Sequence, residues 1–464
     1  MIRLFKHYIP RLVLVLALLE ALLFLASVYA GVAIRFSGDP FNRIPLHTVW
    51  VTAVIFAVIM LVTIHAMGLY RREMREDFWD SIFRLGSGFL LGLSAVTLVY
   101  YVLPQLYVGR GAFGLSFGIA FSGSILLRAL FHKLGSLESF KRKILVVAAV
   151  ADAEQLLALS NKYTQSSFSI VGFLPDQEDE GDLECAAELM RCEAGIDIAE
   201  LALELEVEEI VAAAKLSPAY FEQLMCCKLQ GIPVTQTMTF YERETGQIRL
   251  DVISRDSLLF SDGYRRTTIQ VYAKRLFDIL CSTLLLLVAW PVMLLTALAL
   301  KMESRWRDPV FYRQSRVGQF GEEFEVIKFR SMSTDAEASG AQWAVENDPR
   351  VTGVGAVLRN LRIDELPQLL NVLRGEMSFV GPRPERRVFV DQLAAEIEHF
   401  ELRHLIKPGI TGWAQISYPY GASVEDSRQK LQYDLYYVKN QTMFLDLAIA
   451  LQTVYVILWG QGAR

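Results

Sequence analysis

The sequence predicts a membrane protein in three parts: an α-helical transmembrane bundle, an α/β domain, and an α-rich domain held at the membrane surface. Three observations predict this. The chain has 464 residues and is 53% hydrophobic, with a mean hydropathy of +0.30, too apolar for an ordinary soluble protein and too long for one domain. Four apolar stretches, near 12–34, 49–69, 85–103 and 113–131, are each long enough to cross a bilayer core of about 30 Å as helix. Beyond them short apolar runs alternate with helical periodicity until a fifth long apolar stretch at 279–300.

The first stretch follows Arg3, Lys6 and Arg11 and so resembles a secretory signal, but it is too long and lacks a convincing small-residue cleavage site. Orientation follows from basic residues, which gather on the cytoplasmic side of short connections. They precede span one, fall between spans two and three (Arg71, Arg72, Arg75, Arg84) and follow span four (Arg128, Lys133, Lys141, Arg142, Lys143), whereas the other loops offer only Arg35, Arg43 and Arg110. The N-terminus and everything after span four are therefore expected in the cytoplasm. Cys185, Cys192, Cys226 and Cys227 then lie where thiols stay reduced, and Cys281 lies in an apolar run, so no disulfide framework is implied. Six scattered His residues form no metal-ligand pattern, and a net charge of −5 gives no reason to propose nucleic acid.

From residue 141 the runs "ILVVAAV", "FSIVGFLPD", "EEIVAAA" and "IPVTQT" read as strands, separated by helical patterns in "DAEQLLALSNKY", 198–205 and "PAYFEQLMCCKLQG". That order predicts a parallel, Rossmann-like α/β domain over 141–240 behind a four-helix membrane domain at 1–135, with 241–267 as linker. A dinucleotide site would need glycines after the first strand, where backbone amides approach a pyrophosphate. The turn reads "VAAVADAEQ", so a domain without nucleotide is expected. The acidic run "DQEDEGDLE" reads as a solvated loop rather than a metal motif.

The fifth apolar stretch carries Lys274 and Arg275 before it and Lys301, Arg305 and Arg307 after it, so both flanks bear the cytoplasmic mark. Pro291 stands in its middle, where it removes a helix hydrogen bond and favours a kink. The expected form is a re-entrant helix at 276–301 that enters the cytoplasmic leaflet, bends near Trp290 and Pro291, and returns. "NQTMFLDLAIALQTVYVILWG", interrupted by Asp446, reads as an interfacial helix.

The chemistry concentrates in "RIDELPQLLNVLRGEMSFVGPRPE". Pro367 suits the first turn of a helix that ends at Gly375, which places Asp364 and Glu365 at its positive end. There the helix dipole is expected to lower carboxylate pKa values and to receive phosphate. Lys328, Arg330, Arg350, Arg359, Arg362 and Arg383 collect around this stretch, as a phosphate substrate requires, and Gly381, Pro382 and Pro384 restrain the backbone around Arg383. Taken singly, an acidic pair at a helix start is a cap and surface arginines are solvated; their concentration beside a membrane hairpin favours function.

The segments "KRLFDI", "DPVFYRQSRVG", "FEVIKFRSM", "NDPRVT", "IDELPQLLNVLRGEMSFVGPRPE", "KPGITGWAQI" and "YDLYYVKNQTMFLDL" make residues 268–464 similar to the bacterial sugar transferase family, the polyprenyl-phosphate hexose-1-phosphate transferases of exopolysaccharide and O-antigen assembly. The four spans and α/β domain resemble its larger members, and "YERETGQI" with "YPYGASVED" resembles the exopolysaccharide transferases linked to exosortase systems. The resemblance implies a bacterial inner-membrane enzyme, its catalytic domain cytoplasmic, that moves a hexose-1-phosphate from a UDP-sugar to polyprenyl phosphate with Mg2+ assisting and UMP leaving. It assigns Asp364 as nucleophile of a phosphosugar-enzyme intermediate and Glu365 as its partner, the two also holding the metal. It places Lys328, Arg330, Arg359, Arg383 and Asp434 at the substrates and Pro291 at the kink, although Trp290 stands where several relatives have Ser, and Gly353 where relatives often have Arg. A homodimer is compatible with a large member. Two rivals remain: a membrane-anchored nucleotide-sugar dehydratase or epimerase, which would need a glycine-rich turn and a Tyr-x-x-x-Lys pair not found here, and a non-catalytic scaffold, which would tolerate loss of Asp364.

Overall fold

The computed structural model describes residues 2–4, 7–9, 11–37, 46–70, 78–135, 141–161, 167–175, 197–213, 216–251, 266–334, 336, 348–419, 421 and 423–458. The acidic run at 176–184, Cys185, Cys192 and Arg71, Arg72 and Arg75 lie outside them. The chain divides into two compact units, Met1–Leu4 with Tyr8–Thr245, and Phe5–His7 with Gly246–Arg464.

The first unit begins with α1 (Arg11–Phe36), α2 (Leu46–Ala66), α3 (Phe78–Val102) and α4 (Arg110–Gly135). Together with a helix of the second unit, these are the five helices among the described residues that are long and apolar enough to cross a membrane. Each of the four gives one aromatic ring to a shared core: Phe24, Phe56, Phe89 and Phe117 meet edge to face, with centroids 5.0 to 6.3 Å apart. Arg84 and Arg128, both used to orient the chain, lie well within helices and have acidic partners. Arg128 is buried on α4, its Nε 2.8 Å from Glu20 Oε1 and its Nη2 3.0 Å from Glu20 Oε2 on α1; Arg84 on α3 pairs with Asp80 at 3.0 Å. A charge inside an apolar bundle persists where a counter-charge meets it, so Arg128 joins two helices rather than marking a loop.

The rest of this unit is a four-stranded parallel sheet of β1 (Arg142–Ala148), β2 (Phe168–Pro175), β3 (Glu209–Ala212) and β4 (Val234–Gln236), in the spatial order β2-β1-β3-β4. The intervening helices are α5 (Val150–Asn161), α6 (Ile198–Glu204), α7 (Pro218–Leu229) and α8 (Thr237–Thr245), the last not expected from sequence. Alternate residues of β1 serve opposite faces. Leu145 and Val147 pack with Leu201 and Leu224, while Ile144 and Val146 pack with Leu156, Phe168 and Phe240. Burial on both faces explains the unbroken apolar run of "ILVVAAV".

The second unit opens with α9 (Thr268–Glu303), whose capping box joins Thr267 and Gln270 and which carries Pro291 within a continuous helix. There follow the antiparallel hairpin β5 (Phe311–Val317) and β6 (Glu323–Phe329), then α10 (Gly353–Asn360), α11 (Gln368–Arg374), β7 (Ser378–Val380), α12 (Arg387–Glu396), β8 (Gly409–Thr411), α13 (Trp413–Ser417), α14 (Val424–Asn440) and α15 (Met443–Leu458). Strands β7 and β8 pair in parallel. The hairpin departs from the α-rich expectation: most of β5 is exposed, so its sequence lacks the apolar alternation that betrays a strand. Both ends of α9 are fastened within this unit. Arg275 donates to the carbonyls of Val372 and Leu373 at 2.5 and 2.6 Å, and Asp278 accepts from Ser378 Oγ and Phe379 N at 3.0 Å. At the other end Leu300 is buried with Phe329 and Leu358, and Glu303 accepts from Val354 N at 2.9 Å. Between them Leu284, Leu287, Val288, Leu294 and Leu295 are exposed.

Candidate active site

Two apolar anchors place the acidic pair. Ile363 packs on the cluster of Leu300, Phe329 and Leu358, each such burial contributing roughly 1.5–3 kcal/mol. Downstream, Asn371 is fully buried and uses its side-chain amide as a substitute strand: Oδ1 accepts from Ile327 N at 3.1 Å, and Nδ2 donates to Glu325 O at 2.7 Å. That bond fixes β6, and with it Lys328. The left-handed Gly375, φ 88°, ends α11 where a Cβ would strain the chain.

Asp364 and Glu365 lie in a 3-10 turn, Ile363–Glu365, entered through Arg362 at φ 57°, and each is only 8% exposed. Glu365 gathers the cations: its Oε1 is 2.7 Å from Arg383 Nη2, 3.2 Å from Lys328 Nζ and 3.7 Å from Arg362 Nη1. Burial alone would raise its pKa, yet Arg383, Lys328 and Arg362 outweigh that and hold it far below the usual carboxylate range. Asp364 goes the other way: burial and the adjacent Glu365 charge raise its pKa against the pull of Lys328, Arg362 and Arg383. Its Oδ1 is buried without a hydrogen-bond partner, which costs about 1–3 kcal/mol unless something meets it. Burial and the neighbouring arginines lower Lys328, with Glu365 opposing.

The expected lowering of carboxylate pKa holds in direction for Glu365 but not for Asp364, and side chains rather than a helix dipole set both. The pair precedes Pro367 in its own turn, α11 has only 7 residues, and side-chain charges and burial decide the two carboxylates in opposite senses.

Arg383 is aimed by a loop whose backbone is held along its length. Lys274 Nζ donates to Val380 O at 3.1 Å, Gly381 N donates to Thr411 O at 2.8 Å, and Pro382 O accepts from Gly409 N at 2.8 Å. Arg403 Nη2 donates to Arg383 O at 3.0 Å, Arg316 Nη1 to Pro384 O at 3.3 Å, and Val317 N to Glu385 O at 2.8 Å. Position 381 must be glycine, since a Cβ there would stand 2.5 Å from Lys407 O.

Of the residues expected at the substrates, Lys328 and Arg383 meet the acidic pair directly. Asp434 acts through Arg403, which it binds at 2.8 Å; burial pushes its carboxyl up to about 6 despite that arginine. Arg330 turns elsewhere, pairing with Asp308 and with the Leu300 carbonyl at the end of α9. Arg359, on α10, lends positive potential to Asp348, which pairs with Arg350 at 2.5 Å. Arg403, Arg316 and Asn371 were missed; Arg316 stood inside the motif "DPVFYRQSRVG", but nothing in its spacing showed that it would support the loop at 384.

Among the described residues, no group of three or more His, Cys, Asp or Glu could hold a metal ion. The cluster comprises a buried carboxylate with one unpartnered oxygen, Asp364, a strongly ionised neighbour, Glu365, and three cations, Lys328, Arg362 and Arg383, gathered at that neighbour. Such a cluster can accept a polyanionic substrate and attack it.

Residues 269–460 match the model of the family described as bacterial sugar transferase. The chain is 44% identical over 238 residues to the UDP-N-acetylgalactosamine-undecaprenyl-phosphate N-acetylgalactosaminephosphotransferase of Aeromonas hydrophila, which covers 51% of this chain and 55% of that one. It is 35% identical over 337 residues to the undecaprenyl-phosphate glucose phosphotransferase of Komagataeibacter xylinus, covering 69% of this chain and 60% of the relative. It is also 42% identical to the exopolysaccharide production protein PSS of Rhizobium leguminosarum bv. phaseoli, over 39% of this chain and 92% of the relative. The match thus spans little more than half the length of the first two relatives and nearly all of the third.

Proposed function

The chain belongs to the bacterial sugar transferase family, and from that premise we propose that it transfers a hexose-1-phosphate from a UDP-sugar to polyprenyl (undecaprenyl) phosphate, releasing UMP, as the initiating step of exopolysaccharide assembly. The observation that carries the reading is the asymmetric acidic pair: Asp364 buried with an unpartnered oxygen, beside Glu365 held ionised by three cations. A carboxylate whose pKa is raised keeps a more nucleophilic oxygen once ionised. In the first displacement that oxygen attacks the phosphorus carrying the sugar, and the bond to the UMP oxygen breaks. In the second, an oxygen of the lipid phosphate attacks the same phosphorus and returns the carboxylate. Lys328 and Arg383 face the developing negative charge, with Arg403 and Asp434 holding the Arg383 backbone.

The residues fit Mg2+, which takes one or two carboxylates together with substrate phosphates. Asp364, with its orphaned oxygen, and the adjacent Glu365 would hold it, and once bound it neutralises phosphate charge.

The reading includes a re-entrant α9. A straight helix would put Arg275 and Leu300 roughly 37 Å apart. Their anchors, Val372 and Ile363, are joined by a short helical segment spanning roughly 15 Å. Ser282, Ala289 and Thr296 recur at seven-residue spacing and are buried among mostly exposed neighbours, which supports facing limbs of a bend at Pro291. Such a helix keeps the second unit on the cytoplasmic face of the inner membrane, where a water-soluble donor meets a lipid acceptor, and α15 adds an interfacial anchor. The parallel sheet of the first unit is read as a Rossmann-like domain without nucleotide, and the enzyme as a homodimer.

Purified protein assayed against a panel of UDP-sugars with polyprenyl phosphate is expected to release UMP, and donor alone to leave a phosphosugar adduct on Asp364. Product accumulating with no adduct by intact mass would reject the covalent route. Cysteines placed at Tyr272 and Arg305 are expected to label from one side of the membrane; labelling from opposite sides would replace the hairpin with a crossing.

A further inference from the structure

We infer that Lys274, a residue of the membrane helix α9, is a positioning residue for this transfer: it holds the Val380 carbonyl and thereby the direction in which Arg383 leaves the loop at 381–385. The inference rests on the functional reading above and adds to it a residue that touches neither substrate nor acidic pair.

The argument is one of proton count. Three side chains reach Val380 O: Lys274 Nζ at 3.1 Å, Tyr437 OH at 3.0 Å and Ser378 Oγ at 2.9 Å. Each hydroxyl has one proton and a second, charged acceptor. Tyr437 lies 2.5 Å from Asp446 Oδ1, and Ser378 lies 3.0 Å from Asp278 Oδ1. A carboxylate outcompetes a carbonyl for a hydroxyl proton, so both hydroxyls serve the acids. Lys274 has three N–H groups and three acceptors: Asp446 Oδ2 at 3.1 Å, Asp278 Oδ1 at 3.5 Å and Val380 O. Of these three side chains it is therefore the one donor to that carbonyl with no competing demand on the proton it gives. Asp278, Ser378, Tyr437 and Asp446 are all at most 3% exposed, so water does not replace it. The carbonyl it holds immediately precedes Gly381, where steric room is already exhausted, and a shift at Val380 passes along the chain to Arg383, whose guanidinium reaches Glu365 at 2.7 Å. Asp446, which interrupts an apolar tail in the sequence, thus has a use: with Asp278 it fixes the position of the Lys274 side chain.

The test is a double-mutant cycle on full-length protein in lipid nanodiscs, read as UMP release. Lys274→Met is paired with Asp446→Asn to remove the carboxylate nearer to Lys274, while Asp278 keeps its hydrogen bonds from Ser378 and Phe379, and each version is combined with Arg383→Ala. The expected result is a fall of about tenfold or more in kcat/KM for the paired Lys274 variant, and little further fall when Arg383 is already absent, because coupled positions are non-additive. Lys274→Arg, which keeps the charge and several N–H groups, is expected to recover most of the activity. Independent, multiplying losses would overturn the inference, as would full activity in the paired variant. Wild-type protein that turned over no UDP-sugar would instead overturn the functional reading beneath it.

Discussion

Two buried charge clusters, one in each compact unit, use the same residue types to opposite ends. At the start of the parallel sheet, Glu209 and Glu244 face Arg142 and Arg243. Glu209 Oε1 accepts from Arg243 at 2.8 Å and Thr235 at 2.6 Å, and its Oε2 accepts from Arg142 and Arg243 at 2.8 Å. Glu244 Oε1 accepts from Arg142 at 2.5 Å, and its Oε2 from Ser167 at 2.6 Å. Every carboxylate oxygen is met and the charges cancel, so nothing remains to bind. At the acidic pair the cations crowd one oxygen of Glu365 while Oδ1 of Asp364 has no partner. Buried charge as such does not mark chemistry; a buried imbalance does, because its cost is met only when a ligand arrives.

The comparison can be broken most directly at Asp364. Asp364→Asn is expected to lower UMP release by ~10³-fold or more with little change in thermal midpoint, since the oxygen it alters makes no hydrogen bond; normal turnover would show the imbalance to be idle. Arg383→Ala is expected to cost about 10²–10³-fold in kcat, and Arg383→Lys to recover only part, because an ammonium cannot reproduce the guanidinium fork. Glu365→Gln sharpens the electrostatics. In the proposed mechanism Asp364 attacks when ionised, and its pKa is raised by burial and by the Glu365 charge, so removing that charge lowers it. The acid limb of kcat/KM is then expected to move to lower pH even as the maximum rate falls, and a limb that moved up would reverse the assigned coupling. The smallest effect on turnover belongs to the closed cluster. Glu209→Gln removes the charge that faces the part-buried Arg142 and Arg243 and is expected to cost roughly 3 kcal/mol of stability, seen as a lower unfolding temperature, with turnover per folded molecule within about twofold of the parent.

Much of this was legible in the sequence where the cause is local. The four early helices and the strands of the sheet followed from runs and periods of apolar residues, and the helix ending at Gly375 followed from Pro367 and the glycine. The acidic pair and Arg383 stood out because charges are rare beside apolar segments. Less local features were hidden. The hairpin β5–β6 is exposed on one strand and so carries no pattern. Arg128 reads as a loop charge until Glu20, far away in sequence, is seen to face it. Arg330 and Arg383 look alike in a list of basic residues, yet one caps the end of α9 and the other reaches Glu365.

The sequence by itself therefore determined which segments bury apolar surface, where helices start and stop, and which short stretch concentrates opposing charge, because those properties depend on neighbours within a turn or two. Only the tertiary structure decided which charges are satisfied. Hydrogen bonds and ion pairs act over about 3 Å, so whether a carboxylate is closed off, like Glu209, or left with an unpartnered oxygen, like Asp364, depends on groups that chain folding brings from distant positions.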